Sequence, residues 1–209
     1  MNVKICGIRA EEEALCAVKN GAKAIGFVFA ESKRKIEPEN AKIIIDNLPE
    51  NIWKVGVFVN ESKERIEEIV RISGINVIQL HGDESSELAS SFQLPVIKAF
   101  SIKDENDLEE IADFQSDYIL LDSARERYFG GNGKAFDWNI VKNYDFKGKK
   151  VILAGGLNTE NVSKATEMVN PFMLDVSSGV ETDGKKDLQK IEAFLDKAIY
   201  HETNRRQQS

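Results

Sequence analysis

The sequence predicts a single-domain (β/α)8 TIM barrel, an α/β fold. Short apolar segments alternate with charged, amphipathic segments along almost the whole chain, as is typical of parallel strands joined by helical crossovers. Eight such units follow one another without a Pro- or Ser-rich linker, in 209 residues, a length that suits a small barrel. The alternative is an open doubly wound sheet, but the chain has no dinucleotide fingerprint. We expect the barrel over residues 1–200 and a polar, disordered tail over 201–209.

The strands are predicted where apolar and β-branched residues cluster between turn residues. In chain order they span residues 3–6, 24–29, 53–59, 76–80, 96–101, 118–122, 151–154 and 172–176. Helices are predicted where apolar residues recur at helical spacing among charged ones. They span residues 10–19, 38–47, 62–72, 84–91, 104–112, 158–169 and 187–200. Ser62 and Asn158 stand where helix N-caps are expected.

Composition restricts the possible partners and the compartment. A formal net charge of −7 gives no general attraction to nucleic acid or to an anionic membrane. No apolar run is long enough to span a bilayer, and no signal peptide is recognisable, so we expect a cytoplasmic protein. Two cysteines are too few for a disulfide framework, and with two histidines we expect no metal site. Monomer and homodimer both remain open.

The first strand carries a polar face inside an apolar segment. Because side chains alternate in a strand, Lys4 and Cys6 point to one side and Val3 and Ile5 to the other. The simplest interpretation of Cys6 is a small buried thiol in the core. A polar face is better explained if it ends in a reaction pocket, and in a parallel barrel that pocket lies at the carboxyl ends of the strands.

The loops after the seventh and eighth predicted strands indicate a phosphate site. The first contains Gly155 and Gly156, and the second contains Ser178 and Gly179. Small residues at such turns let backbone N–H groups approach an anion, and these two loops are the recurring phosphate site of such barrels. Either glycine pair alone could be a tight turn.

Other strand ends carry further candidates. Asp122 begins a long Gly-rich connection that includes Gly131 and Gly133, a pattern typical of a lid or ligand clamp. Arg34 follows the second strand and could bind a carboxylate, although a run of basic residues is usually a solvated segment. Gln79 and His81 end the fourth strand, where a lone histidine is more often structural.

Taken together, these segments resemble phosphoribosylanthranilate isomerase of tryptophan biosynthesis over almost the whole chain. They are Lys4-Ile5-Cys6-Gly7-Ile8-Arg9, Gly26-Phe27-Val28-Phe29, Ser32-Lys33-Arg34, Val55-Gly56-Val57-Phe58-Val59-Asn60, Gln79-Leu80-His81-Gly82, Leu120-Leu121-Asp122-Ser123, Gly130-Gly131-Asn132-Gly133 with Phe136-Asp137-Trp138, Ala154-Gly155-Gly156-Leu157 and Asp175-Val176-Ser177-Ser178-Gly179-Val180-Glu181. Each segment alone is weak evidence for this family, whereas the full set in this order is specific for it. Lys33 and Asp183 stand where this family usually has proline, and Asn132 stands where it usually has Thr or Ser. These departures bear on loop rigidity and substrate affinity more than on the reaction.

The resemblance implies an Amadori rearrangement of an N-ribosylated anthranilate phosphate, with Cys6 as general base and Asp122 as general acid. It also implies that Arg34 holds the anthranilate carboxylate. We assign the remaining candidates to the same phosphosugar ligand. They are Gln79, His81 and Asp175 for the substrate, and Gly155, Gly156, Ser178, Gly179, Gly131 and Gly133 for its phosphate. No cofactor is required, because no external redox step occurs.

The assigned roles make two electrostatic demands. A thiol base needs a lowered pKa and a carboxylic acid needs a raised one, since free Cys and Asp titrate near ~8.5 and ~3.9. Lys4 could favour the thiolate, and Asp175 could pair with Lys4 because the first and last strands of a closed barrel are neighbours. Two alternatives remain: the histidine-pathway isomerase, whose first strand ends in Asp rather than Cys, and a phosphosugar-binding barrel without catalysis.

Overall fold

The computed structural model describes residues 1–123 and 136–208 and contains a closed barrel of eight parallel strands in sequence order. The barrel strands are β1 (Asn2–Cys6), β2 (Ala24–Val28), β3 (Trp53–Phe58), β4 (Val77–Leu80), β5 (Val96–Ile102), β6 (Tyr118–Ser123), β7 (Lys150–Leu153) and β8 (Met173–Val176). Each end lies within one residue of the predicted one, so the barrel predicted from the sequence is confirmed.

Seven α-helices lie among the described residues, all in predicted positions. They are α1 (Glu11–Lys19), α2 (Pro38–Ile45), α3 (Lys63–Ser73), α4 (Ser86–Ser90), α5 (Asp107–Asp113), α6 (Val162–Val169) and α7 (Leu188–Gln208). Ser62 caps α3 as predicted, accepting a 3.2 Å hydrogen bond from Arg65 N. Asn158 does not cap α6, because its side chain stabilises the turn before that helix instead. No helix in the described ranges is both long and apolar enough to cross a bilayer.

The last helix is longer than predicted. The sequence suggested an end near residue 200, but α7 continues to Gln208 through the segment assigned as a polar tail. No Gly or Pro follows Tyr200 to stop the helix, and Glu, Arg and Gln are favourable helix formers.

The barrel closes through β1, which pairs with both β2 and β8. In this register Lys4 lies opposite Asp175, whereas Val3 and Ile5 face outward into the layer between strands and helices. Small and aliphatic side chains fill the interior, including Ala24 and Val55. At the amino ends of the strands, Trp53, Tyr118 and Phe172 pack against this interior cluster. The open end is therefore the one formed by the carboxyl ends of the strands.

Two small elements after β8 were not predicted. A single 3-10 turn (Ser178–Val180) leads into an antiparallel hairpin of β9 (Glu181–Thr182) and β10 (Lys185–Lys186). Its turn residues, Asp183 and Gly184, have φ of 52° and 75°, as a two-residue hairpin turn requires. Proline is fixed near φ −65° and cannot adopt this conformation, so Asp183 is compatible with the turn where proline would not be.

Candidate active site

One cavity of about 140 Å³ lies at the carboxyl ends of the strands and gathers most of the predicted site residues. Those that line it are Cys6, Arg34, Gln79, His81, Asp122, Gly155, Gly156, Asp175 and Ser178. Gly179 lies behind the lining, where a β-carbon would come within 1.9 Å of the Leu157 carbonyl oxygen. Gly131 and Gly133 fall outside the described residues. The thiol of the first strand and the carboxyl of the sixth therefore share one cavity.

Lys4, Asp175 and Cys6 form a buried cluster in the wall of this cavity. The Lys4 ammonium is fully buried and donates a 2.8 Å hydrogen bond to Asp175 Oδ2, which confirms the predicted pair. Burial would lower the pKa of Lys4, but the Asp175 and Cys6 side chains hold it above its ordinary value, so the ammonium stays charged. A buried charge of this kind is tolerated only when it is paired.

The structure does not give Cys6 the lowered pKa that a thiol base requires. Burial raises the pKa of the Cys6 thiol, and the nearby charge of Asp175 raises it further. Lys4 and, more weakly, Lys186 act in the opposite direction without overcoming the cost of burial. The physical reason is that a strand-face lysine can be read from the sequence, whereas the depth at which the sulfur is buried cannot. Burial therefore favours the neutral thiol of Cys6 over the thiolate.

Asp122 is held by groups from the carboxyl ends of β4 and β6. Its Oδ1 accepts a 2.8 Å hydrogen bond from Ser123 N, and its Oδ2 lies 3.5 Å from His81 Nε2. Gln79 Nε2 donates to His81 Nδ1 at 2.9 Å, which leaves the proton of a neutral imidazole on Nε2, facing Asp122. Gly155, at φ 82°, gives this carboxyl its room, since a β-carbon there would come within 2.9 Å of Asp122 Oδ1.

Two buried acceptor oxygens have no donor among the described residues. They are Gln79 Oε1 and Asp175 Oδ1, and both side chains line the cavity. Buried polar atoms are nearly always hydrogen-bonded, and each unsatisfied one costs about 1–3 kcal/mol. Ligand hydroxyl groups would satisfy both oxygens.

Arg34 enters the cavity but already binds a carboxylate of the protein. Its Nε and Nη2 atoms donate to the two oxygens of Glu181 at 2.7 and 2.8 Å. Glu181 also accepts a 2.6 Å hydrogen bond from Lys186 Nζ. Gly7, at φ 80°, allows the approach of Arg34, because a β-carbon would lie 2.5 Å from Arg34 Cδ.

Glu181 and Lys186 were not identified as site residues from the sequence. They lie 147 and 152 positions after Arg34, so no local pattern links them to it. Only the inclusion of Glu181 in the motif after β8 pointed to this region. Among the described residues, no three His, Cys, Asp or Glu side chains are arranged to hold a metal ion.

Comparison with known proteins identifies a consistent set of relatives. A family model for N-(5'-phosphoribosyl)anthranilate (PRA) isomerase matches residues 3–197. The N-(5'-phosphoribosyl)anthranilate isomerase of Bacillus cereus strain AH187 is 51% identical over 199 residues, covering 95% of this chain and 98% of the relative.

Solved structures give the same result. Phosphoribosyl anthranilate isomerase from Thermotoga maritima superposes with a TM-score of 0.89 at 44% identity, covering 96% of this chain and 99% of that one. A second structure, of such an isomerase in complex with reduced 1-(o-carboxyphenylamino)-1-deoxyribulose 5-phosphate, has a TM-score of 0.86 at 41% identity, with the same coverage.

Proposed function

The chain belongs to the N-(5'-phosphoribosyl)anthranilate isomerase family, and on this premise we propose that Cys6 and Asp122 carry out its reaction as general base and general acid. The reaction is an isomerisation of tryptophan biosynthesis. It converts N-(5'-phosphoribosyl)anthranilate into 1-(2-carboxyphenylamino)-1-deoxyribulose 5-phosphate. This is an aldose–ketose isomerisation, in which oxidation level moves between neighbouring carbons of one molecule and no external oxidant is consumed.

The observation that carries the proposed roles is the shared cavity of Cys6 and Asp122. Asp122, protonated, gives its proton to the furanose oxygen as the C–O bond at the anomeric carbon breaks. The nitrogen lone pair forms the new C=N bond, giving an iminium ion. Cys6 reacts as the thiolate, after its own proton has been released to solvent. It then removes the proton from the neighbouring sugar carbon, and the resulting enolamine tautomerises to the ketone. General acid–base steps of this kind contribute typically about 10²–10⁴-fold each.

The raised pKa of Cys6 requires an explanation within this mechanism. Burial favours the neutral thiol, which is a poor base. The iminium formed in the first step adds a positive charge at the reacting atoms, and Lys4 already lies on the other side. Both charges favour the thiolate, and the iminium acidifies the neighbouring C–H bond at the same time. The thiolate is then most populated when the intermediate that needs it is present.

The remaining lining residues support binding of the substrate. We assign the phosphate to the loops after β7 and β8, at Gly155, Gly156, Ser178 and Gly179. Gln79 Oε1 and Asp175 Oδ1 suit the sugar hydroxyls, because both are buried acceptors that lack a donor in the described residues. We assign the anthranilate carboxylate to Arg34, and His81 to the orientation of Asp122. Cytoplasm remains the proposed compartment, and both monomer and homodimer the proposed assemblies.

Turnover separates this function from the alternatives. The labile substrate is generated in place from anthranilate and a phosphoribosyl donor, and its consumption is followed by loss of fluorescence. The proposed function predicts turnover of the anthranilate compound and binding of its reduced product analogue. Binding without turnover would indicate a phosphosugar-binding barrel. Preferential turnover of the histidine-pathway aminoribosyl phosphate would indicate the other isomerase.

A further inference from the structure

The hairpin after β8 holds Arg34 through a partly buried three-residue ion cluster. The cluster consists of Arg34, Glu181 and Lys186, whose side chains are 19%, 8% and 2% exposed. Glu181 Oε1 is shared between Arg34 Nε and Lys186 Nζ, and Glu181 Oε2 accepts from Arg34 Nη2. The cluster carries two positive charges and one negative charge, so a positive charge is left at the cavity wall.

Lys186 is itself fixed in place. Besides Glu181, its Nζ donates to the Ser177 carbonyl oxygen at 3.0 Å and to Ser177 Oγ at 3.2 Å. The three donors of an ammonium group are thus matched by three acceptors. Glu181 is consequently held from two sides, and both of its oxygens accept hydrogen bonds within the cluster.

The geometry of the guanidinium group decides what Arg34 can still bind. A guanidinium has five N–H donors in one plane, and Glu181 engages the edge formed by Nε and Nη2. The N–H groups of the other edge, on Nη1 and Nη2, point in a different direction and can hold a second carboxylate bidentately. Arg34 lines the cavity, so the pairing with Glu181 fixes the plane in which that second carboxylate must lie.

We propose that Glu181, anchored by Lys186, is a positioning residue that fixes the Arg34 guanidinium for the carboxylate of the substrate. This inference rests on the proposed function, since it requires Arg34 to bind the anthranilate carboxylate. It makes the β9–β10 hairpin a determinant of specificity: ligands with a carboxylate on the aryl ring benefit from the fixed arginine, and ligands without one do not.

The test compares two ligands on two proteins. The first ligand is reduced 1-(o-carboxyphenylamino)-1-deoxyribulose 5-phosphate, and the second is the same compound without the ring carboxylate. Glu181→Gln keeps the shape of the side chain and removes its charge. We expect it to weaken binding of the first ligand about tenfold, because the ligand must then immobilise the Arg34 side chain itself. Binding of the second ligand should be unchanged. KM should rise by a similar factor while kcat stays within about twofold.

Thr182→Val is the matched control, because it removes the Thr182 Oγ1–Asp187 Oδ2 hydrogen bond of the same hairpin without touching the cluster. It should not alter the ratio of the two affinities. If Glu181→Gln fails to fold, Glu181→Asp retains the charge but withdraws it by one methylene, and should lower the affinity ratio in the same direction.

Three results would overturn the positioning role of Glu181. Equal weakening of both ligands would show that Glu181 only holds the hairpin. No change in either affinity would show that Arg34 needs no support. Tighter binding of the carboxylate ligand would show that Glu181 competes with it. Failure of the wild-type protein to prefer the carboxylate ligand would instead remove Arg34 from its assigned role, and the positioning role with it.

Discussion

Two buried lysine–carboxylate pairs lie on opposite sides of the strand layer, and they differ in how completely they are hydrogen-bonded. Lys98 and Glu84, outside the barrel, meet at 2.9 Å, and both Glu84 oxygens have donors, including Asn60 N and Gly82 N. Lys4 and Asp175, inside the barrel, meet at 2.8 Å, yet Asp175 Oδ1 has no donor in the described part of the chain.

The difference separates a structural pair from a functional one. A buried ion pair offsets its desolvation only when its remaining hydrogen bonds are made, and Glu84 meets that condition. Glu84 joins the loops after β3 and β4 to Lys98 on β5. The Lys4–Asp175 pair leaves Asp175 Oδ1 without a donor at the cavity and lies beside the Cys6 thiol. A ligand can therefore complete the hydrogen bonds of this pair. The following predictions test this contrast, from the largest expected effect to the smallest.

The largest effect on activity is expected at Cys6, whose thiol lies beside the Lys4–Asp175 pair. Cys6→Ser should lower kcat by about 10²–10⁴-fold, because the alcohol is a far weaker acid and cannot supply the base. Cys16→Ser is the control, since Cys16 lies on α1 and its thiol hydrogen-bonds only to Asn20 and the Leu188 carbonyl among the described groups. Comparable losses of activity in both variants would remove Cys6 from the mechanism.

Breaking the fully hydrogen-bonded pair, Lys98–Glu84, should affect folding rather than chemistry. Lys98→Met leaves Glu84 buried without its cation, and removal of one partner from a buried pair typically costs about 3–5 kcal/mol. Urea unfolding should show this loss, while kcat of the folded protein stays within about threefold of wild type. A Lys98→Met protein with wild-type stability would contradict the structural role.

Breaking the Lys4–Asp175 pair should change the pH dependence of activity. Lys4 lowers the pKa of Cys6 against the effect of burial, so Lys4→Met should raise that pKa further. The limb of the kcat/KM profile that rises with pH as the thiolate forms should therefore move to higher pH. An unchanged pH–rate profile would show that Lys4 has no electrostatic effect on the reaction.

The smallest effect concerns acid stability. Burial raises the pKa of Glu84, but Lys98 and the Asn60 N–H outweigh it, and the net pKa lies below its ordinary value of 4.5. A lowered carboxyl pKa contributes stability above about pH 4.5 that is lost as pH falls through the folded-state value. The difference in unfolding free energy between wild type and Glu84→Gln should therefore shrink below pH 4.5. A difference that is independent of pH would contradict the lowered pKa.

The sequence was sufficient for the barrel and for most of the cavity, because both follow from regular patterns. Alternation of strands and helices locates the eight strand ends, and closure makes β1 and β8 neighbours, from which the Lys4–Asp175 pair follows. The positions of Cys6 and Asp122 in one cavity follow in the same way.

The features that the sequence did not reveal depend on how deeply a side chain is buried and on contacts between residues far apart in the chain. The direction of the Cys6 pKa shift depends on how deeply the sulfur is buried, which strand alternation does not give. The partnership of Arg34 with Glu181 joins loops 147 residues apart, through a hairpin whose strands have two residues each. Such short charged strands have no periodicity to detect.

Cooperation of Cys6 with Asp122 is tested most directly in an Asp122→Asn protein, by measuring turnover and the affinity for the reduced product analogue on one preparation. We predict a Kd within about threefold of wild type, and a kcat lowered by about 10²–10⁴-fold because the amide cannot protonate the ring oxygen. Retention of wild-type kcat with the analogue still bound would contradict the assignment of Asp122 as the acid.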